Sequence, residues 1–410
     1  MLDQVKLRAT AGMKFVDVGG GILAPDRAEE AIAFFDDVRR VEPVLYLGED
    51  TWLITRHEDA RAILRDTRFS SNESSEHRDG EEPTGEGYAR SMLFMDPPNH
   101  TRLRGLVQPA FVPRRLKRLE GDIEHAVDDL LDAVVDNGRL DVIADFARPL
   151  PVWAISIMLD IPEPDRDRIQ ELAQDSSLTL DLEYLDNAGA ERALSASVLL
   201  QDYFRDFVEA RREEPGDDVL SGMIAAEESG EALSNEEIVV MADLLFVADH
   251  ETTVNLIGNG TRTMLDHPGS LERLAAEPEL IPSAVEESLR FSPSVTLNGR
   301  TAAEDLAVGD KTVKRGQHVI IPTDAVNRDP EKFTDPHTFD VACKDNAPLT
   351  FSIGPHVCLG AFLARMEARI AWEKILGRVT EIASLGPSQY REHVTLRGLE
   401  AVDISFLAAA

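Results

Sequence analysis

From Ser234 to His267 the chain has no proline, and the stretch opens with Ser234-Asn235-Glu236-Glu237. A Ser followed three residues later by Glu is a capping box, in which each side chain satisfies the other residue's free backbone N–H. The spacing predicts one helix of roughly 30 residues, about 45 Å long. Its first half, Ile238 to Ala248, is apolar nearly all round. A helix apolar on every face is a buried helix. With 43% apolar residues in 410, the chain has ample material for the large core this requires.

The rest of the chain fits around that helix. Val44 to Leu47 and Trp52 to Thr55 flank Gly48-Glu49-Asp50, a hairpin signal. His57 to Arg65 reads as helix, as do Leu116 to Val135, Ala190 to Arg212 and Pro282 to Phe291. Ser70 to Arg90 is polar and rich in Gly, Glu and Ser, and reads as a long loop of the kind that often forms a lid. Asp305 to Pro322 reads as short strands joined at Gly309-Asp310 and Arg315-Gly316. Asp329 to Pro348 is interrupted by prolines and reads as irregular, and a last helix runs from Cys358 to about Leu376. The class is mainly α with small β-sheets (α+β). Length alone allows two or three domains, but no repeat, low-complexity tract or Gly/Ser linker divides the chain.

Net charge narrows the partners. Lys and Arg total 42 against 75 Asp and Glu, a balance of −33. Nucleic acid and anionic membranes would be repelled. Met1 to Thr10 shows no apolar signal core. The longest apolar stretch, Ile238 to Ala248, contains Asp243 and falls short of the roughly 20 residues that span a bilayer. The expectation is a soluble, cytoplasmic protein. Two cysteines, Cys343 and Cys358, form neither a disulfide framework nor a zinc pattern.

Cys358 stands where a Gly/Pro turn, Gly354-Pro355, runs into an apolar helix. A sulfur there would sit near the free N–H groups and positive dipole end of the helix. Both favour the thiolate and lower its pKa. Gly354 suits a sharp turn, and Gly360 leaves room for a flat ligand close to the backbone. From the residues alone, an inert buried cysteine, a nucleophile and a metal ligand all remain open. The central helix poses a similar question. Asp249, His250, Glu251, Thr252 and Thr253 are costly inside it unless they face a cavity, water or polar neighbours.

The stretch Phe351-Ser352-Ile353-Gly354-Pro355-His356-Val357-Cys358-Leu359-Gly360, continued to Ala364-Arg365, resembles the heme-binding signature F-x-x-G-x-H-x-C-x-G of the cytochrome P450 family. The resemblance implies heme b with Cys358 as the proximal iron ligand, Phe351 packed on the sulfur side and His356 at a heme propionate. Ala248 to Thr253 is similar to the family's A-G-x-[DE]-T-T. That likeness implies that Thr252 and Glu251 deliver protons to dioxygen, and that small Ala248, one turn earlier, leaves room above the iron. Asp96-Pro97-Pro98-Asn99-His100 through Arg104 resembles D-P-P-x-H-x-x-x-R. His100 and Arg104 would share a helix face toward a propionate, with Arg300 at another propionate position. Glu287 and Arg290 fit E-x-x-R, a structural pair bracing the heme loop. The resemblance covers residues 44 to 410 and implies a single domain over 1–410, with 1–43 as an N-terminal extension and first helix.

Two positions depart from the family pattern. Asp249 stands where Gly is usual; it could bind a polar or cationic substrate group, join the proton relay, or turn into a structural hydrogen bond. The third partner of E-x-x-R, an Arg in F-D-x-x-R, is missing: Phe339-Asp340-Val341-Ala342 leads to Cys343 and then Lys344, leaving Lys344 as the candidate replacement.

The resemblance implies a monooxygenase of secondary metabolism that inserts one oxygen atom from O2 into a small, mostly apolar organic molecule. No flavin or iron–sulfur module fits beside it, so electrons would come from a separate ferredoxin and ferredoxin reductase. Arg102, Arg104, Arg114, Arg115, Lys117 and Arg118, without an acidic residue among them, would form either a solvated face or its docking patch. Peroxide-driven oxidation, oxidative coupling and a non-enzymatic heme sensor are the alternatives. The substrate walls are placed at Ser70 to Met95, Leu178 to Ala190, Ser292 to Leu297 and His393 to Gly398.

Overall fold

The computed structural model describes residues 23–72, 91–228, 234–344 and 346–409. The central helix runs from Asn235 to Asp266, and both capping-box bonds form: Glu237 N–H donates to Ser234 Oγ at 3.2 Å, and Ser234 N–H to Glu237 Oε2 at 2.8 Å. It ends at His267, which leaves the helical region because Pro268 follows. Ile238 to Val247 are buried without exception. Helices Pro149–Leu159, Arg166–Ser177, Asn187–Glu213, Ile281–Phe291 and Ala361–Arg378 pack around it and share the main hydrophobic cluster.

Helix expectations hold to within a few residues. His57–Arg65 has the expected bounds. Asn187–Glu213 extends the expected 190–212 because Asp186 caps it, accepting from Gly189 N–H at 2.7 Å. Leu116 to Val135 is broken into a short Pro113–Leu116 turn and a Glu120–Asp132 helix. The run Val142–Leu159, a wide helical turn leading into Pro149–Leu159, is a correction to the reading of the longest apolar segment. By length and composition it could cross a membrane, although Asp145 and Arg148 interrupt it. It lies against the central helix with 67% of its length buried inside the protein.

The sheets are small and peripheral. Five strands pair in the order Val44–Gly48, Thr51–Ile54, His318–Pro322, Leu297–Ala302 and Phe69–Ser70. The first two form the expected hairpin. Leu306–Val308 and Lys311–Val313 form another. Leu297–Ala302 was not read as a strand, since Gly299 and Arg300 break any alternation. Nor was the sheet of Arg139–Asp141, Asp403–Ala408 and Val379–Ser384, which joins segments far apart in the chain. Helix Ala28–Val41 covers the first sheet through Phe34, Phe35 and Val38. Within the loop expected at Ser70 to Arg90, residues 73–90 lie outside the described residues.

Candidate active site

The cysteine loop is built by backbone constraints. Cys358 N–H donates to Phe351 O at 2.8 Å, closing the loop, and Val357 N–H donates to Gly354 O at 3.2 Å. Gly354 has φ +81°, and a Cβ there would lie 2.6 Å from Leu64 O at the end of helix His57–Arg65. Only glycine meets both conditions. Arg104 donates to Val357 O at 2.7 Å, so helix Asn99–Val107 braces the loop from the other side. The Arg365 guanidinium lies 4.4 Å over the Phe351 ring and pairs with Glu286.

Helix Ala361–Arg378 starts just past Cys358, and the Gly360 N–H bonds to the sulfur. The expected fall in thiol pKa does not follow in the protein alone. Burial pushes Cys358 up to about 11, and Asp249 adds to it, against the downward pull of Gly360 N–H, Arg104 and Arg365. Desolvation of a charge outweighs one hydrogen bond and partial dipoles. A bonded metal cation reverses this order, because a coordinating thiol is deprotonated outright.

The surroundings fit a flat, dianionic iron porphyrin. Cys358 keeps exposed surface although protein encloses it nearly all round. On the central helix, where neighbours on both sides are sealed, Ala248 is exposed and Asp249 and Thr252 are half-buried. Asp249 acts on the Cys358 sulfur electrostatically, so the exposed sulfur and the accessible Ala248–Thr252 face border a shared cleft. Its polar side gathers donors: the His100 and His356 rings are 4.1 Å apart, and Arg104 and Arg300 act on both electrostatically. Burial, then His100, Arg300 and Arg104, push His356 down to about 3, and burial also lowers His100. His100 Nδ1 is buried without a hydrogen-bond partner among the described residues. Two imidazoles and two guanidiniums acting on one another in this way suit a pair of carboxylates.

The helix face carries the rest. Thr252 Oγ1 donates to Ala248 O at 2.7 Å, and Ser294 Oγ donates to Thr252 O at 2.9 Å. Asp249 Oδ2 is buried and unpartnered among the described residues, so a structural hydrogen bond does not account for that oxygen. Burial pushes its pKa up to about 7. Glu367, from the cysteine helix, is fully buried, and neither carboxyl oxygen has a hydrogen-bond partner among the described residues. Burial and the neighbouring Asp249 hold it well above the usual carboxylate range. Glu251 differs. Burial pushes it up, but Arg391, His250 and His393 outweigh burial and hold it below its ordinary value. Arg391 Nη1 lies 2.9 Å from Glu251 Oε2 and 3.2 Å from Oε1. Arg391, Glu367, Asn255 and Asp181 were not found by sequence reading; each is a lone polar residue with no motif spacing around it.

The E-x-x-R brace forms with a different third member. Arg290 makes a two-pronged bond to Glu287, 2.6 Å to Oε1 and 2.8 Å to Oε2, and donates to the carbonyls of Asn327, Pro336 and Thr338. Lys344 is exposed and takes no part; Asn346 donates to Glu287 Oε2 at 2.7 Å, and Asp340 N–H to Oε1 at 3.1 Å. Lys344 would have had to bury its ammonium to reach the pair, whereas an amide enters at far lower desolvation cost. The basic segment also divides. Arg102 pairs with Glu237 and Arg104 turns to the cysteine loop, while Arg114, Arg115, Lys117 and Arg118 are exposed, on and just past a turn that packs on the cysteine helix.

Known proteins resemble the chain over most of its length. The Cytochrome P450 family model matches residues 43–380. Cytochrome P450 107B1 of Saccharopolyspora erythraea is 37% identical over 385 residues, covering 89% of this chain and 92% of that protein. The 6-deoxyerythronolide B hydroxylase of the same organism is 35% identical, covering 89% and 92%. The crystal structure of CalO2 superposes with a TM-score of 0.87 at 30% identity, over 96% of this chain and all of that one. P450BioI in complex with an acyl carrier protein ligated to hexadec-9Z-enoic acid gives 0.85 at 32%, over 93% and 100%. The chain belongs to the cytochrome P450 family of heme-thiolate monooxygenases, and its cofactor is heme b.

Proposed function

We propose that this protein hydroxylates or epoxidises a small, mostly apolar secondary metabolite, with Cys358 as the iron ligand and electrons from a separate ferredoxin and its reductase. The balance is substrate plus O2, two electrons and two protons, giving oxygenated substrate and water. The observation that carries the reading is the cleft itself, with an accessible sulfur on one side and the Ala248–Thr252 face on the other. His100, Arg104, Arg300 and His356 would hold the propionates, with Phe351, Gly354 and Gly360 shaping the loop. The bound heme supplies oxygen activation, its thiolate donating electron density that favours O–O cleavage.

The chain's own residues supply space and protons. Ala248 leaves room over the cleft. The Thr252 hydroxyl and the buried Glu251 carboxyl would be the alcohol and the acid that pass protons through water. Asp249, whose buried Oδ2 has no partner among the described residues, would add a second carboxyl that joins the relay or takes a donor group of the substrate. Leu178 to Ala190, Ser292 to Leu297 and His393 to Gly398 would form the walls. One relative is named the Polyketide biosynthesis cytochrome P450 PksS of Bacillus subtilis, and this favours a polyketide-like substrate. The whole chain would form one domain, working in the cytoplasm without nucleic acid or membrane.

Turnover with NADPH, a ferredoxin and its reductase tests the reading. Oxygenated product with O2 supports it; product only with added peroxide refutes it. Cys358→His should abolish the thiolate-type spectrum of the reduced carbonyl adduct, and an unchanged spectrum would remove Cys358 as ligand.

A further inference from the structure

The Glu251 carboxylate is 1% exposed, so the cleft does not reach it directly. Its partner, Arg391, comes from the C-terminal loop, 140 residues further along the chain, and is itself 6% exposed. Arg391 also donates to Asn255 Oδ1, one helical turn beyond Glu251. The loop is shaped for this contact: Arg391 N–H donates to Gly398 O at 2.9 Å, and a Cβ at Gly398 would overlap the Asn255 carboxamide. Between these residues lies His393-Val394-Thr395, part of the proposed substrate wall. Those three are gripped from the opposite side by Asp181, at a kink in the Leu178–Tyr184 segment. Its carboxylate accepts from Val394 N–H at 2.9 Å and Thr395 N–H at 3.1 Å, and lies 3.1 Å from His393 Nδ1. Thr296 N–H completes the grip, donating to Thr395 O at 3.0 Å.

Two proposed walls of the substrate space are therefore bonded to one loop, and that loop holds the acid. We propose that Arg391 is a positioning residue that ties the Glu251 carboxylate to the 391–398 loop, so that the set of the substrate walls governs proton delivery to the cleft. This rests on the reading of Glu251 as part of the relay. The bonds have a direct consequence. Both Glu251 oxygens lie within reach of one guanidinium, so the carboxylate can swing toward Thr252 only as far as the loop follows. A substrate that presses on Val394 or Thr395 moves the loop, and with it the acid. Arg391 and Asp181 touch neither oxygen nor substrate in this scheme; they act through Glu251 and the loop.

The test uses the heme-loaded protein with a plant-type ferredoxin, its reductase and NADPH. It reads hydrogen peroxide released per NADPH consumed, together with the solvent deuterium effect on NADPH consumption. Misplaced protons send electrons to peroxide, so the ratio reports delivery with or without a substrate. Arg391→Gln should raise the ratio at least about fivefold, a modest effect beside the factor of about 100 that a positioned acid contributes at minimum. Arg391→Lys, which keeps the charge but not the fork that reaches Glu251 and Asn255 together, should fall between Arg391→Gln and the parent. If Arg391→Gln does not fold, Asp181→Asn carries the test: it loosens the loop with Arg391 intact and should raise the ratio in the same direction. Glu251→Gln separates the two ideas. Should Glu251→Gln raise peroxide while folded Arg391→Gln, or Asp181→Asn in its place, matches the parent in both readouts, the positioning role is overturned and the relay stands. Should Glu251→Gln itself match the parent, the relay reading falls and the positioning role with it.

Discussion

Asn346 should matter to stability and Lys344 should not, although the family pattern points to the cation. Glu287 is 1% exposed and Arg290 is 2% exposed. The Glu287 oxygens accept four bonds: two from Arg290, one from Asp340 N–H and one from Asn346 Nδ2 at 2.7 Å. Truncating Asn346 to Ala leaves Oε2 with Arg290 alone. A hydrogen bond to a buried charge contributes about 1.5–3 kcal/mol, so Asn346→Ala should cost about 2 kcal/mol. Lys344 is exposed, and Lys344→Ala should fall within about 0.5 kcal/mol of the parent. The assay is urea unfolding of the heme-loaded protein, followed in parallel by heme absorbance and far-UV circular dichroism, with the shift in midpoint converted through a shared slope. The reasoning also orders the probes. Asn346 ties the irregular segment 329–348, which precedes the cysteine loop, to Glu287, so heme absorbance should be lost at or before the helical signal. Equal effects of the two substitutions, or a larger effect at Lys344, would refute the assignment of the third member.

Further outcomes follow from other contacts. Burial raises Asp243 to about 7, with a single bond from Gln201 in opposition. The folded state then holds a proton that the unfolded state has lost between pH ~4 and ~7, so stability falls as pH rises through that window. Asp243→Asn, which can still accept from Gln201, should flatten the curve and stabilise the protein at pH 8 by up to about 4 kcal/mol, as read by unfolding at several pH values. Gly354→Ala places a Cβ against the Leu64 carbonyl in left-handed backbone; a cost of at least about 1–2 kcal/mol and a lower heme content on purification are expected. Neutralising Arg114, Arg115 and Lys117 to Gln should slow reduction by ferredoxin by about tenfold at low salt and flatten its ionic-strength dependence; unchanged stopped-flow kinetics would place the docking face elsewhere.

Much of the scaffold is written in local patterns. The capping box and the absence of proline specify the central helix because helix start and continuation depend on residues three or four positions apart. The Gly48-Glu49-Asp50 and Gly309-Asp310 turns specify hairpins for a similar reason. The Gly354-to-Cys358 spacing sets the sulfur at a helix start, since a turn and a helix N-terminus are both short-range objects. The strand Leu297–Ala302 and the C-terminal sheet were illegible because their pairing partners lie far away and their own residues do not alternate.

By itself, then, the sequence determined where the helix, the sulfur loop and the hairpins must form, and its motif residues pointed to the heme-thiolate chemistry. Only the tertiary structure decided that Asn346 rather than Lys344 completes the Glu287–Arg290 brace, that Arg391 holds Glu251, and that Asp249 and Glu367 crowd the same interior. It also reversed the expected direction of the Cys358 pKa. The reason is common to all of these. Desolvation and long-range hydrogen bonding depend on which distant segments pack together, and no periodicity along the chain records that.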